Sequence, residues 1–264
     1  MQIPGQGQVP RWYVCRRVPV KDGIVVDGRM DEAAWKSADW TEDFVDIEGT
    51  DSPRPAPRFA TRVKMLWDEE YLYVGAWMDE PHVWGTLTEY DQIVFHDNDF
   101  EIFIDPNGDT EEYYEIEINA LNNIFDLFLV KTYINGGPAL HDWDLKGMKH
   151  AVWIDGTLND PTDIDKGWSV EFALPWSHLA VCARRSCPPT GLEQEPWRIN
   201  FSRVQWQHEI VNGHYQKIPD TPEDNWVWSP QSAVNMHLPE HWGNVVFKNV
   251  IVNEAMADQL RNAR

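Results

Sequence analysis

The sequence predicts an all-β chain folded as a two-sheet antiparallel β-sandwich, with short helices and long loops. Three observations carry that expectation. About ten segments alternate apolar and polar residues with the period of a strand. Turn residues separate them at intervals of roughly 8–20 positions, as in sandwiches. Helical periodicity is confined to a few short stretches.

Each element follows from local chemistry. Residues 1–19 form an N-terminal arm, and Met1 to Pro10 is rich in Gln, Gly and Pro. That stretch lacks the basic start and apolar run of a signal peptide. Asp31-Glu32-Ala33-Ala34-Trp35 reads as a short capped helix. The Pro-rich run Ser52 to Pro57 is a loop before a strand. Phe59 to Trp67 and Tyr71 to Met78 are β-rich runs around Asp68-Glu69-Glu70, a hairpin. Over Phe100 to Asp105, Phe100, Ile102 and Ile104 take one face, and Asp99, Glu101 and Phe103 the other. Tyr114, Ile116 and Ile118 likewise oppose Glu115, Glu117 and Asn119. Such alternation means one packed face and one polar face. Phe125 to Lys131, Ala151 to Ile154, Trp168 to Leu174, Trp197 to Trp206 and Asn244 to Phe247 complete the strands. Pro175 to Ala180 reads as a further helical turn. The sandwich domain spans residues 20–250, and residues 251–264 form a helical tail from Glu254 to Arg264. Loops near residues 79–98, 132–150 and 207–240 are long, and binding concentrates on such loops.

Composition excludes several functions. The 264 residues hold 22 Lys and Arg against 43 Asp and Glu, a formal net charge of −21. Phosphate backbones and anionic membrane surfaces are repelled by that charge. No apolar run approaches the roughly 18 residues of a spanning helix. The 15 tryptophans are the anomaly beside so many carboxylates. Of the three cysteines, Cys182 and Cys187 flank a loop short enough to close into a disulfide, and three free thiols are the alternative.

Several motifs occur in a familiar order. Val26-Asp27-Gly28-Arg29-Met30-Asp31-Glu32-Ala33-Ala34-Trp35 opens the set. Val63 to Val74, with Leu66-Trp67-Asp68 and Tyr71-Leu72-Tyr73 at its centre, follows. Next come Asn98-Asp99-Phe100-Glu101-Ile102-Phe103-Ile104-Asp105-Pro106 and the strand Tyr114 to Asn119. Trp168 to Trp176, Trp197 to Arg203 and His237 to Gly243 close the series. Together, over roughly residues 20–248, they resemble the family 9 carbohydrate-binding modules and their relatives. The resemblance implies a DOMON-like β-sandwich that binds a sugar in a groove on one sheet and is not itself catalytic. Such modules are commonly appended to glycoside hydrolases. It therefore implies a carbohydrate ligand, a glycoside hydrolase acting on the same substrate as partner, and an extracellular or periplasmic location.

Sugar recognition needs flat aromatic faces for C–H surfaces and charged or amide groups for hydroxyls. The polar strand faces supply Asp99, Glu101, Glu117, Asn119, Glu171, Arg198 and Asn200, whereas Arg203 breaks parity with Arg198. In the family two tryptophans sandwich the sugar. By the same spacing these positions are Phe95, six residues before Glu101, and Met236, six before Trp242. The family's polar contacts correspond to Glu101 and Asn119, and an Arg between them is replaced by Glu117. Trp226 is a candidate stacking residue, as are Trp84, Trp206 and Trp228. Trp35, Trp67, Trp168 and Trp242 are expected in the core.

The oxygen ligands Asp105, Asn107, Asp109 and Glu111 alternate as in calcium loops but miss the EF-hand positions. The family's structural calcium makes them the expected metal ligands. A solvated hairpin loop is the alternative. Two other functions stay open. Glu101 and Glu117 as a carboxylate pair suit a divergent glycoside hydrolase. Met65, Met78, Met236 and His237 suit a haem-binding DOMON-like domain, although Met is more often core filler.

Overall fold

The computed structural model describes residues 9–18, 23–184, 187–189 and 195–249. The Glu254 to Arg264 helix and residues 1–8 and 19 of the N-terminal arm lie outside the described residues. The strands are β1 (Trp12–Arg17), β2 (Val45–Asp46), β3 (Thr61–Trp67), β4 (Tyr71–Asp79), β5 (Asp99–Asp105), β6 (Tyr113–Asn119), β7 (Ile124–Leu129) and β8 (Ala139–Leu140). They continue as β9 (Lys149–Asp155), β10 (Gly167–Pro175), β11 (Trp197–Gln205), β12 (His208–Val211), β13 (His214–Lys217), β14 (Asp224–Val227) and β15 (Gly243–Lys248). Two helices, α1 (Ala33–Ser37) and α2 (Trp176–Ala183), accompany them.

The sandwich forms by curling one large sheet onto itself. Its order is β8-β7-β6-β5-β11-β15-β1-β3-β4-β10-β9, with β14 and then β2 added beyond β11. The halves β8-β7-β6-β5-β11 and β3-β4-β10-β9 face each other, and β15 and β1 join them. The sheet is mixed, which corrects the antiparallel expectation: β1 pairs parallel with both β15 and β3. Strand alternation shows period, not the direction of the neighbour, so this pairing left no trace in the pattern.

Apolar residues at alternate positions of both halves fill the interior. Phe100, Ile102, Ile104, Ile116 and Ile118 from β5 and β6 pack against Val63, Met65, Val74, Val170 and Phe172 from β3, β4 and β10. Trp67 and Trp168 belong to this core, and Trp35 and Trp242 are fully buried elsewhere. Two smaller apolar clusters cover the outer faces. Phe103, Tyr113, Phe125 and Leu127 meet Val94, Met236 and Trp242 outside β5–β7. Trp35 and Ala34 of α1 meet Leu66, Tyr73 and Ala173 outside β3, β4 and β10.

That outer α1 layer explains the opening motif and moves Glu171 away from the groove. Glu171 of β10 accepts the backbone N–H groups of Asp27 and Gly28 at 3.0 and 2.8 Å through Oε2. Its Oε1 accepts Trp35 Nε1–H at 2.6 Å. Gly28 has φ +88, and a Cβ there would lie 2.5 Å from Trp153 N, so only glycine fits the clasp. Helix α1 carries no side-chain cap; the Glu32 carboxylate accepts the Val25 N–H instead. Cys15, Cys182 and Cys187 are free thiols, which resolves the disulfide alternative.

The expected long loop 207–240 is partly structured: β12 and β13 form a hairpin and β14 pairs with β11. Among the described residues, no helix is long and apolar enough to cross a membrane.

Candidate functional site

The polar face of β5 and β6 is where sequence and structure part most usefully. Alternation places Asp99, Glu101, Glu115, Glu117 and Asn119 on one face, and the register sets Glu101 directly opposite Glu117 and Asp99 opposite Asn119. That face is not solvated. Every residue of β5 and β6 is buried, because segments around 88–97, 133–141 and 223–237 fold over it.

Between those segments a cleft of about 410 Å³ opens onto the sheet. Glu101, Glu115 and Glu117 form its floor with Phe103, Phe125 and Leu127. Phe95, Tyr133, His141, Met236 and His237 line it from the loops, with Glu223 and Asn225 at β14. Phe95 and Met236, the two positions assigned by spacing, therefore face one cavity. The Phe95 backbone is held from both sides: its N–H donates to Glu117 Oε2 at 2.9 Å, and its carbonyl accepts Trp206 Nε1–H at 2.8 Å. His237 Nδ1 lies 2.9 Å from the Tyr113 hydroxyl, and the Tyr133 ring meets His237 edge-on at 4.6 Å. Burial lowers the His237 pKa to about 4, so the ring is neutral near neutral pH.

The floor is an acidic cluster. Asp99, Glu101 and Glu117 each bring a carboxylate oxygen within 4.8 Å of the others. Burial pushes the Glu101 carboxyl up to about 7. Burial first, then Glu101 and its neighbours, hold Asp99, Glu115 and Glu117 well above the usual carboxylate range. The Oδ2 of Asp99 is buried with no hydrogen-bond partner, while Oδ1 accepts the Val204 N–H at 3.2 Å.

The other sequence candidates sit elsewhere. Asn119 is fully buried and works as a brace: its amide donates to Leu87 O and Asp97 Oδ2, and its Oδ1 accepts Leu121 and Asn123 N–H. Asn200 and Arg198 share the sheet face but not the cleft. Asn200 exchanges hydrogen bonds with the Ser229 backbone, and Arg198 reaches the Trp242 carbonyl. Trp226 is 1% exposed and stacks under Arg58 and Arg203, which makes it a core residue. Arg203, on the opposite face as its parity requires, is buried against Glu80 at 2.9 Å. Trp84 and Trp228 are buried as well, and half-buried Trp206 carries the Lys217 ammonium 3.7 Å above its ring.

Of the residues that sequence reasoning passed over, Glu115 shares the alternation of Glu117 and was legible. Tyr133 and His141 arrive from a long loop and carried no periodic signal. His237 stands in the closing motif and among the haem candidates, and nothing in its spacing points to the cleft.

The loop expected to bind calcium is closed by its own backbone. The Asp105 carboxylate accepts the N–H groups of Gly108 and Thr110, and Asp109 accepts that of Glu111. Asn107 spans to Asp109, which also meets Arg184 at 3.4 Å. Both Asp105 oxygens and Asp109 Oδ1 are thus engaged by backbone N–H groups, and Asp105, Asp109 and Glu111 are not among the described acidic groups whose oxygens gather within 4.8 Å.

The chain has recognisable relatives. A profile of the family described as "Carbohydrate family 9 binding domain-like" matches residues 26–193, more than half of the chain. The exoglucanase XynX of Acetivibrio thermocellus is 25% identical over 158 residues, covering 60% of this chain and 12% of that protein. Endo-1,4-beta-xylanase A of Thermotoga maritima is 28% identical over 161 residues, covering 59% and 12%. The chain thus matches only a small part of these long proteins. A family 9 module from Caldicellulosiruptor kristjanssonii, solved in complex with cellotriose, superposes with a TM-score of 0.56 at 14% identity. The match covers 92% of this chain and 97% of that one, and at that identity it establishes the shared fold. The profile match, the order of the motifs and the curled sandwich agree: the chain belongs to the carbohydrate family 9 binding domain-like family.

Proposed function

We propose that this domain binds a carbohydrate in the cleft over β5 and β6 without hydrolysing it. The observation that carries the reading is the cleft itself. It combines aromatic rings at Phe95, Phe125 and Tyr133 with carboxylates at Glu101, Glu115 and Glu117, in a volume suited to a sugar unit. Rings cover the C–H faces of a pyranose, and carboxylates accept its hydroxyls more strongly than neutral acceptors do.

Binding is favoured over catalysis by the carboxylate arrangement. A glycosidase places two carboxyls on either side of the scissile bond, roughly 5–10 Å apart. Glu101 and Glu117 are cross-strand neighbours on the cleft floor, so both carboxyls reach a ligand from one side instead of flanking a scissile bond. The relatives named as an exoglucanase and an endo-1,4-beta-xylanase support the further reading that this domain serves polysaccharide breakdown outside the cytoplasm, alongside a glycoside hydrolase.

Titration calorimetry against mono- and oligosaccharides, with product analysis of the same mixtures, tests both halves. The expected result is saturable binding with no release of sugar. Absence of heat across neutral, acidic and basic sugars removes the binding role, and hydrolysis lost in Glu101→Gln would establish an enzyme.

A further inference from the structure

We infer that the cleft selects a sugar bearing a protonated amine, of the glucosamine class, whose ammonium sits on Glu101 and Glu117; this presupposes that the cleft is a carbohydrate site. The cluster is short of positive charge. Asp99 and Glu101 come from β5, Glu115 and Glu117 from β6, and Glu223 stands beside β14. No Lys or Arg lines the cleft among the described residues, and its histidines are His141 and half-buried His237. Lys217 of β13 is within electrostatic reach of Asp97, Asp99 and Glu223, but its ammonium is parked on the Trp206 ring at 3.7 Å. Behind Glu101 and Glu117, Asp99 Oδ2 is buried and without a hydrogen-bond partner. Such a group of carboxylates is costly in a low dielectric until a cation joins it.

The shape of the cleft distinguishes an organic cation from a metal. A metal ion would use only the floor, whereas calcium wants six to eight oxygens. The rings of Phe95 and Phe125 that enclose the space offer none, and Tyr133 offers only a neutral hydroxyl. A sugar amine uses both parts: its three N–H donors meet Glu101 and Glu117, and its ring carbons meet the aromatic faces, which also attract the cation. N-acetylation would abolish the charge and leave the carboxylates unanswered.

Calorimetry at neutral pH, low salt and with EDTA would compare the β-1,4 dimer of glucosamine, its N-acetylated form and cellobiose. The amine is expected to bind at least ~10-fold tighter than either neutral dimer, from one or two charge-assisted hydrogen bonds. Glu117→Gln keeps an acceptor for the Phe95 N–H and should cut that ratio below ~3-fold; Glu101→Gln, checked for an unchanged melt, should do the same. Equal affinity for all three dimers overturns the inference and leaves the carbohydrate site standing. No binding of any dimer or of the wider sugar panel removes the carbohydrate site itself. Neutral-sugar binding that appears only when calcium replaces EDTA would make the cation a metal and overturn the inference.

Discussion

Replacing Phe95 by alanine removes one wall of the cleft while sparing the backbone that carries it. Both polar anchors of this residue, to Glu117 and from Trp206, use its main chain and survive the substitution. The ring is half-buried and its aromatic neighbour is His96, at 4.5 Å, so little core packing is lost. The cost should therefore fall on the ligand. Covering about 50 Å² of C–H surface is worth about 1.3 kcal/mol, and the aromatic geometry adds roughly 0.5–1.5 kcal/mol. A total near 2 kcal/mol corresponds to a ~30-fold loss of affinity. Calorimetry with whichever sugar binds the parent protein measures it, and a thermal melt verifies the fold. An affinity within ~2-fold of the parent, with an unchanged melt, would refute the assignment of Phe95 as a wall of the site.

Two further outcomes follow from the titrating groups and the acidic loop. Glu101 and Glu171 have folded pKa values raised to about 7 and Asp105 to about 6, burial being the first cause in each. A raised carboxyl pKa means that the folded state holds the proton more tightly, so stability is fullest below the ordinary value near 4.5 and is lost as pH rises toward 7. His237, lowered to about 4, acts in the opposite sense between about 4 and 6.5. With three carboxyls against one imidazole, the melting temperature should be higher near pH 5.5 than near pH 8; a monotonic rise with pH would contradict the buried cluster. EDTA should move the melting temperature by less than about 1 °C, because backbone amides already hold Asp105 and Asp109; a drop of several degrees would make a bound metal part of the fold.

Much of the architecture was legible because strands write their period into the sequence. The β5 and β6 alternation located the acidic face, and the six-residue spacings led to Phe95 and Met236, which line one cavity. What alternation cannot report is what lies over a face. Trp226 lies on β14, which pairs with β11, and Asn200 lies on β11 against the 228–231 turn, contacts between residues far apart in the chain. Glu171 looked like a groove residue because its strand alternates correctly. It lies on the other half of the sandwich, clasping Gly28 and Trp35. Likewise the parallel β1 pairings come from the far end of the chain, where no local pattern points.

The tryptophans and carboxylates divide along the same lines. Trp35, Trp67, Trp168, Trp226, Trp228 and Trp242 are structural and fully buried. Trp206 acts one step from the cleft, by holding the Phe95 carbonyl. The rings that reach the cavity are those of Phe95, Phe103, Phe125, Tyr133, His141 and His237. Among the acids, Glu171 and Asp105 fasten backbone, whereas Glu101, Glu115 and Glu117 face the cavity with few partners of their own. Buried carboxylates left in that condition mark a binding floor better than exposed ones do.

Chemical-shift mapping of the labelled protein with a bound sugar is the most direct test of where recognition occurs. The cleft assignment predicts perturbations clustered at Phe95, Glu101, Glu117, Tyr133 and His237. Perturbations centred instead on Trp40, Trp77 and Trp153, around the separate hollow on the outer face of β4, β9 and β10, would contradict it.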